Sequence, residues 1–95
     1  MTETYLLPTP ISHISLREEF DDWALLFNPD TGKSVGLTPT GVTIWRALLN
    51  RKDLKGIIDA LGDEFEPLPE NIQEEVTDFC DQIVKTGFAE FEKTE

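Results

Sequence analysis

The stretch Gly36-Leu-Thr-Pro-Thr-Gly-Val-Thr-Ile-Trp-Arg-Ala-Leu-Leu49 joins the end of a predicted strand to a short amphipathic helix. Thr38 can cap this helix by accepting a hydrogen bond from a free N–H of its first turn, and Pro39 suits the first helical position. Gly41 is expected at a place where a side chain would crowd a neighbour. Apolar residues, Trp45 among them, then recur at helical spacing. The stretch therefore predicts a helix from about Pro39 to Leu49 that buries one face, with Trp45 in the core.

The residues before this stretch alternate between apolar and polar side chains, as strands do. A weak first strand is expected around Ile14 and Leu16. A clearer one spans residues 23–27, with Trp23, Leu25 and Phe27 sharing one face. Asn28-Pro-Asp-Thr-Gly32 has the turn residues of a hairpin loop, and residues 33–37 form the returning strand.

Two further helices are predicted after residue 50. Asp53 caps the second, whose apolar residues follow a helical stripe up to residue 65. Pro67 and Pro69 then interrupt the chain before a third helix over about residues 70–85, which Gly87 ends. Residues 88–91 are expected to form a short terminal strand.

Strands followed by helices define an α+β class. The chain has 95 residues, which is enough for a single domain with one modest core. We expect residues 1–10, which include Pro8 and Pro10, to form a loose arm, and residues 11–91 to form the domain.

One flank of the third helix is neither purely apolar nor strongly charged. On a helical wheel, Ile72, Val76, Phe79 and Ile83 form a core stripe, and the acidic side chains lie on the opposite side. Between these two arcs lie four residues of mixed character, namely Gln73, Thr77, Cys80 and Val84. Such an intermediate arc is where the wall of a binding groove is expected.

The net charge of −11 comes from 19 acidic and 8 basic side chains, and it is concentrated in the second half of the chain. Such a surface repels nucleic acids and anionic membranes, so neither is expected as a partner. A basic peptide or a basic protein surface would be attracted. The apolar runs are too short to span a membrane, and no signal peptide is recognised, so a cytoplasmic location is predicted.

The sequence contains no pattern typical of catalysis. His13 is the single histidine and Cys80 the single cysteine. His13 is interpreted as a surface residue and Cys80 as a small buried apolar residue. One histidine and one cysteine make structural zinc improbable, and no glycine-rich phosphate loop occurs. We therefore predict a protein that is not an enzyme, without metal or cofactor.

The order of these elements resembles the PqqD family. The similarity includes the motif Leu-Thr-Pro-Thr-Gly-x-x-Ile-Trp-x-x-Leu, preceded by an apolar strand and a hairpin with glycine, and followed by a capped helix and a third helix that ends at glycine. In this chain these parts are Leu25-Leu26, Gly32, residues 37–48, residues 53–61 and residues 76–88. Two departures occur: Thr38 stands where the family usually has Asn, and Asn50-Arg51-Lys52 replaces a frequent Asp-Gly.

The resemblance implies a winged-helix-like domain, with three antiparallel strands followed by three helices. It also implies a recognition element for ribosomally made, post-translationally modified peptides. Such domains bind the leader of a precursor peptide and present it to a modifying enzyme, such as a radical S-adenosylmethionine enzyme, or to a leader protease. The leader pairs with the third strand, against the third helix. Carried over to this sequence, the peptide-binding residues would be Lys33, Ser34, Val35, Gly36, Gln73, Thr77, Cys80 and Val84.

Two other interpretations stay open at the level of sequence. A winged-helix DNA-binding module shares this architecture, although its recognition helix should carry Lys and Arg rather than the acids of the third helix. A subunit that docks onto an enzyme without touching the peptide would have the same sequence features. An exposed edge strand is compatible with either a monomer or a dimer.

Overall fold

The computed structural model describes residues 7–19, 21–65 and 67–91. Eight elements follow one another within these described ranges. They are β1 (Thr9–Pro10), β2 (Ser15–Glu18), β3 (Ala24–Asn28), β4 (Lys33–Leu37), α1 (Pro39–Leu49), α2 (Leu54–Glu64), α3 (Ile72–Lys85) and β5 (Ala89–Glu90). The predicted α+β architecture, an antiparallel sheet of three strands followed by three helices, is confirmed.

The three-stranded sheet has the order β2-β3-β4, with β3 in the centre. Both pairings are antiparallel, and Leu26 lies opposite Leu16 on one side and Val35 on the other. Along β3 the side chains alternate between buried and exposed, because one face of the sheet packs on the core and the other faces solvent. Leu26 is fully buried, whereas Trp23 on the outer face is 48% exposed.

Local signals fix the two helix starts that the sequence predicts. The Thr38 hydroxyl accepts a hydrogen bond from the Gly41 N–H at 3.2 Å, and Pro39 is the first residue of α1. The Asp53 carboxylate accepts from the Gly56 N–H at 2.8 Å at the start of α2. Each cap satisfies a backbone donor that the helix itself leaves unpaired.

The core lies between the inner face of the sheet and the three helices. Trp45 is 1% exposed, which confirms its predicted place in the interior. Its buried neighbours come from every helix and from the sheet, and include Leu26, Leu37, Ile44, Leu48, Ile57, Leu61, Val76, Ile83 and Phe88. An ion pair between Arg46 and Glu18 also joins α1 to β2 at the surface.

The N-terminal segment differs from its prediction at its last residues. Thr9 and Pro10 form β1, which pairs with the terminal strand β5 in a second small sheet. The Ile11 N–H also donates to the Phe88 carbonyl at 3.1 Å. Thr9 and Pro10 are therefore part of the fold rather than of a loose arm, because their backbone pairs with that of Ala89 and Glu90 in β5. Residues 1–6 of the predicted arm lie outside the described residues.

We expect Gly32→Ala to lower the free energy of unfolding by about 1 kcal/mol, because Gly32 has φ +76° and a Cβ is disfavoured there. No atom lies within 4 Å of the site of that Cβ, so the loss would come from the backbone alone. Urea unfolding measures it. Gly36→Ala is the control, since its Cβ would meet only Leu25 Cδ2, at 3.9 Å. Equal losses in the two variants would contradict the prediction.

Candidate functional site

The outer edge of β4 is one of the two open edges of the three-stranded sheet. Among the described residues, β4 pairs with β3 and with no other strand. Lys33, Ser34 and Gly36 are exposed, and Val35 is half-buried. A strand of this kind offers unpaired N–H and C=O groups to an incoming extended chain.

Helix α3 runs beside β4 in the opposite direction, as two contacts show. Near the end of β4, a Cβ built on Gly41 would lie 3.1 Å from Phe79 Cε1 and 3.6 Å from Leu37 Cβ. At the other end, the Asn28 side chain donates to the Gly87 carbonyl at 2.9 Å, and Asn28 lies opposite Lys33 in the sheet. These contacts place Phe79 near the end of β4 and Gly87 near the β3–β4 hairpin, so α3 runs antiparallel to β4. The space between α3 and the β4 edge is the candidate groove.

Asn28 is the buried polar residue that holds the far end of this groove. It is 4% exposed, and its side chain satisfies two backbone groups. Its amide nitrogen donates to the Gly87 carbonyl, and its oxygen accepts from the Asp30 N–H at 2.9 Å. One side chain thus fixes the β3–β4 hairpin and joins it to the end of α3. No buried side-chain nitrogen or oxygen among the described residues lacks a partner.

Phe79 identifies the flank of α3 that faces β4. Its ring lies against Gly41 and close to Leu37, so its side of the helix is turned towards the end of the strand. On a helical wheel, Glu75 and Gln82 lie within about 60° of Phe79. Gln82 is exposed and falls along the helix between Phe79 and Gly87. This flank is the candidate wall of the groove.

The predicted arc of α3 lies on the other side of the core stripe. Gln73, Thr77 and Val84 project about 120–160° away from Phe79. Gln73 is exposed, and Thr77 and Val84 are half-buried. Contact between these three residues and a peptide stays a prediction.

Cys80 requires a correction. It is 3% exposed and belongs to the hydrophobic core, as its alternative interpretation as a small buried residue predicted. It therefore cannot form part of an open groove wall. The helical wheel places Cys80 within the mixed arc, yet the buried residues of α3 are Val76, Cys80 and Ile83, whereas Phe79 is half-buried. The helical repeat in the sequence predicts how far apart the buried residues of α3 are, but not which of them lies deepest in the core.

The single histidine and single cysteine lie in different environments. His13 is exposed and pairs with Asp30 in the β3–β4 hairpin loop. Burial raises the pKa of the Cys80 thiol to about 11, with a smaller contribution from the charge of Asp81. A protonated, covered thiol is a poor nucleophile. Within the described residues, no group of three or more His, Cys, Asp or Glu side chains could hold a metal ion.

The charge of the site is dominated by α3. Its exposed face carries Glu74, Glu75, Asp78 and Asp81, and its last turn holds Lys85. The edge strand contributes Lys33. This distribution favours a ligand with basic side chains over one with phosphates. None of the described helices has the length and apolar character needed to cross a membrane.

Sequence reasoning missed two residues that shape the groove. Asn28 appeared only as the start of a turn, although an Asn before Pro-Asp is typical of a side chain that bonds its own loop. Phe79 was assigned to the core stripe. The glycine at position 41 indicated a close neighbour, but not that this neighbour would be Phe79.

Comparisons with known proteins agree with this architecture. Residues 24–89 match the family described as Coenzyme PQQ synthesis protein D (PqqD). This match spans most of the chain, so the protein belongs to the PqqD family.

The fold also matches a solved structure described as "TbiB1 in Complex with the TbiA(beta) Leader Peptide", with a TM-score of 0.74 and 22% identity. The match covers 90% of this chain and 99% of that one. At this identity the likeness establishes a shared fold. A search of curated proteins gave no match.

We expect Asn28→Asp to destabilise the protein by about 1–3 kcal/mol, because a carboxylate cannot donate to the Gly87 carbonyl and leaves it unpaired. The substitution preserves shape and the oxygen that accepts from Asp30. Chemical denaturation at neutral pH measures the loss. Asn50→Asp is the matched control, since Asn50 is exposed and its amide bonds the Arg46 carbonyl at a helix end. A loss at position 28 no larger than that at position 50 would count against this role.

We expect the Cys80 thiol to resist 5,5′-dithiobis(2-nitrobenzoic acid) in the folded protein at pH 8, since it is buried and its pKa is about 11. In denaturant the same thiol should react fully within minutes. Release of the coloured thiolate follows both reactions. Rapid stoichiometric labelling of the folded protein would contradict the assignment of Cys80 to the core.

Proposed function

We propose that this protein binds the leader segment of a ribosomally made precursor peptide and presents it to the enzyme that modifies the peptide. The observation that carries the proposal is the open edge of β4 beside the Phe79 flank of α3. A peptide in extended conformation would add to the sheet as a fourth strand next to β4. The solved structure of similar fold supports it, since that structure is described as a complex with a leader peptide.

The backbone of β4 would supply the affinity that does not depend on peptide sequence. Residues 33–36 expose their edge, and each outward-facing N–H and C=O can pair with the peptide backbone. Selectivity would come from the inner face of the added strand. Every second peptide side chain there would point towards Val35, Leu37 and the ring of Phe79, so apolar side chains are favoured at these positions.

The partner enzyme would be a radical S-adenosylmethionine enzyme or a leader protease, and the complex would form in the cytoplasm. We assign no catalytic step to this chain itself. His13 is paired with Asp30 at the surface and Cys80 is enclosed in the core, so the two do not form a nucleophilic pair. The protein would act as an adaptor that holds the peptide in an ordered conformation.

The charge of the protein argues against a DNA-binding function. A winged-helix module reads DNA with a basic helix, whereas α3 has four exposed acids before its terminal Lys85. The overall charge of −11 adds repulsion from a duplex. If the protein only docked onto an enzyme and never touched the peptide, the β4 edge would have no function. Separate titrations of the protein with peptide and with enzyme distinguish this alternative from our proposal.

We expect a synthetic leader, taken from a short reading frame beside this gene, to bind with a dissociation constant in the roughly micromolar range. Fluorescence anisotropy or calorimetry measures it. Strand addition is tested with peptides that carry single backbone N-methyl groups. Because the N–H groups of a strand alternate in direction, N-methylation at alternate central positions should abolish binding and at the intervening ones should not. Failure of every neighbouring peptide to bind would refute the proposal.

We expect Gln82→Trp to weaken leader binding at least tenfold, because it places a large side chain in the candidate groove. Gln73→Trp is the matched control: the same residue type, also exposed, on the flank of α3 turned away from Phe79. It should change affinity less than twofold. Unfolding curves confirm that both variants are folded. The reverse order of effects would show that the Gln73, Thr77 and Val84 flank contacts the peptide instead.

A further inference from the structure

The outer face of the sheet carries a row of large apolar side chains that the core does not use. Trp23, Leu25 and Phe27 are 48%, 37% and 42% exposed, and the last two lie on the central strand β3. Such a row next to an open sheet edge is typical of a binding surface. The proposed strand addition explains contacts on the inner face, but it leaves this outer row unaccounted for.

The residues between this row and the open edge of β4 are small. On the outer face, Gly36 lies opposite Leu25, and Ser34 lies opposite Phe27. A Cβ on Gly36 would meet nothing closer than Leu25 Cδ2 at 3.9 Å, so there is room above this residue. A side chain on a strand added to β4 would start about 5 Å from Gly36 and about 10 Å from Leu25. A long side chain could therefore cross over Gly36 and reach β3.

A hollow on the outer face of the sheet lies where such a side chain would reach β3. It has a volume of about 310 Å³ and is lined by Trp23, Ala24, Leu25 and Gly36 together with the acidic residues Glu19 and Asp21. Glu19 pairs with Arg17 at 3.3 Å, whereas Asp21 forms no ion pair among the described residues. The hollow thus combines an apolar lining, which includes an indole ring, with the carboxylate of Asp21.

We propose that this hollow is a second specificity subsite, which takes an arginine or lysine side chain of the bound leader at the position opposite Gly36. The methylene stem would cover Gly36 and Leu25, and the cationic group would lie on Trp23 near Asp21. Stem burial, a cation–π contact and the neighbouring carboxylate each favour such a side chain. This inference rests on the proposed function, because it requires a peptide strand on β4.

The charge of the protein selects this occupant over a second copy of the chain. Each copy carries a net charge of −11, so two outer faces brought together would repel one another. The carboxylate of Asp21 in the lining disfavours an acidic partner. A cation with an apolar stem matches both the apolar lining and this carboxylate.

The test is a set of binding measurements with a leader that binds the wild-type protein, in which each Lys or Arg is replaced in turn by Met. We expect one replacement to weaken binding about tenfold. In the Trp23→Ala and Gly36→Leu variants, the same replacement should weaken binding less than twofold. Trp23→Ala removes the subsite, and Gly36→Leu blocks access to it. In Ser34→Leu, the matched change on the same face two residues away, the tenfold loss should persist.

Several results would overturn the subsite while leaving the proposed function intact. These are a leader that binds without any Lys or Arg, a leader for which no replacement weakens binding, and a tenfold loss that persists in Gly36→Leu. Dimerisation that Trp23→Ala abolishes, seen by sedimentation, would assign the hollow to a second copy and overturn the subsite too. If no leader binds the wild-type protein, both the subsite and the proposed function fail.

Discussion

The arrangement of this small protein depends on the link that the Asn28 side chain makes between the sheet and the end of α3. The chain leaves the three-stranded sheet at Leu37, and α3 follows only after two other helices, so nothing covalent sets the distance between β4 and α3 near the hairpin. Asn28 sets it by donating to the Gly87 carbonyl while it also accepts from the hairpin loop. Because Asn28 is 4% exposed, water cannot take the place of either hydrogen-bond partner without a loss of stability. At the opposite end, the close approach of Phe79 to Gly41 does the same by packing.

Holding α3 at a fixed distance from an open strand gives the domain a site built without catalytic chemistry. A sheet edge binds backbone, which all peptides share, and the side chains on its two faces then decide which peptide is preferred. The inner face of β4 presents Val35, and the outer face presents Leu25 across Gly36 and Phe27 across Ser34. The acidic surface adds a long-range preference for basic ligands that salt would weaken. An edge of this kind also carries a risk of self-association, which a net charge of −11 opposes.

Local sequence signals predicted most of the elements, and the reasons are visible in the structure. Helix α1 begins at Pro39 and ends at Leu49, as predicted, because the Thr38 cap and the proline act within one turn. Strand β4 also has its predicted bounds, since the hairpin loop fixes its start. Helix α3 begins at Ile72, two residues after the predicted start, and no side chain caps it. Strand β1 was missed because two residues with a proline have no periodicity, and only their pairing with β5 makes them a strand.

The features of the candidate site also divide into those that local sequence determined and those that the tertiary structure decided. The sequence by itself determined the order of the elements after β1 and the charge that favours a basic ligand, because caps, turns, periodicity and composition act over a few residues. Its resemblance to the PqqD family implied the strand that takes the peptide. The tertiary structure decided which flank of α3 faces β4, that Cys80 is enclosed, and that Thr9–Pro10 pairs with the chain's end. Helical periodicity repeats every 3.6 residues and is the same for any rotation of the helix about its axis. That rotation is set by contacts between residues far apart in sequence, such as Gly41 with Phe79 and Asn28 with Gly87.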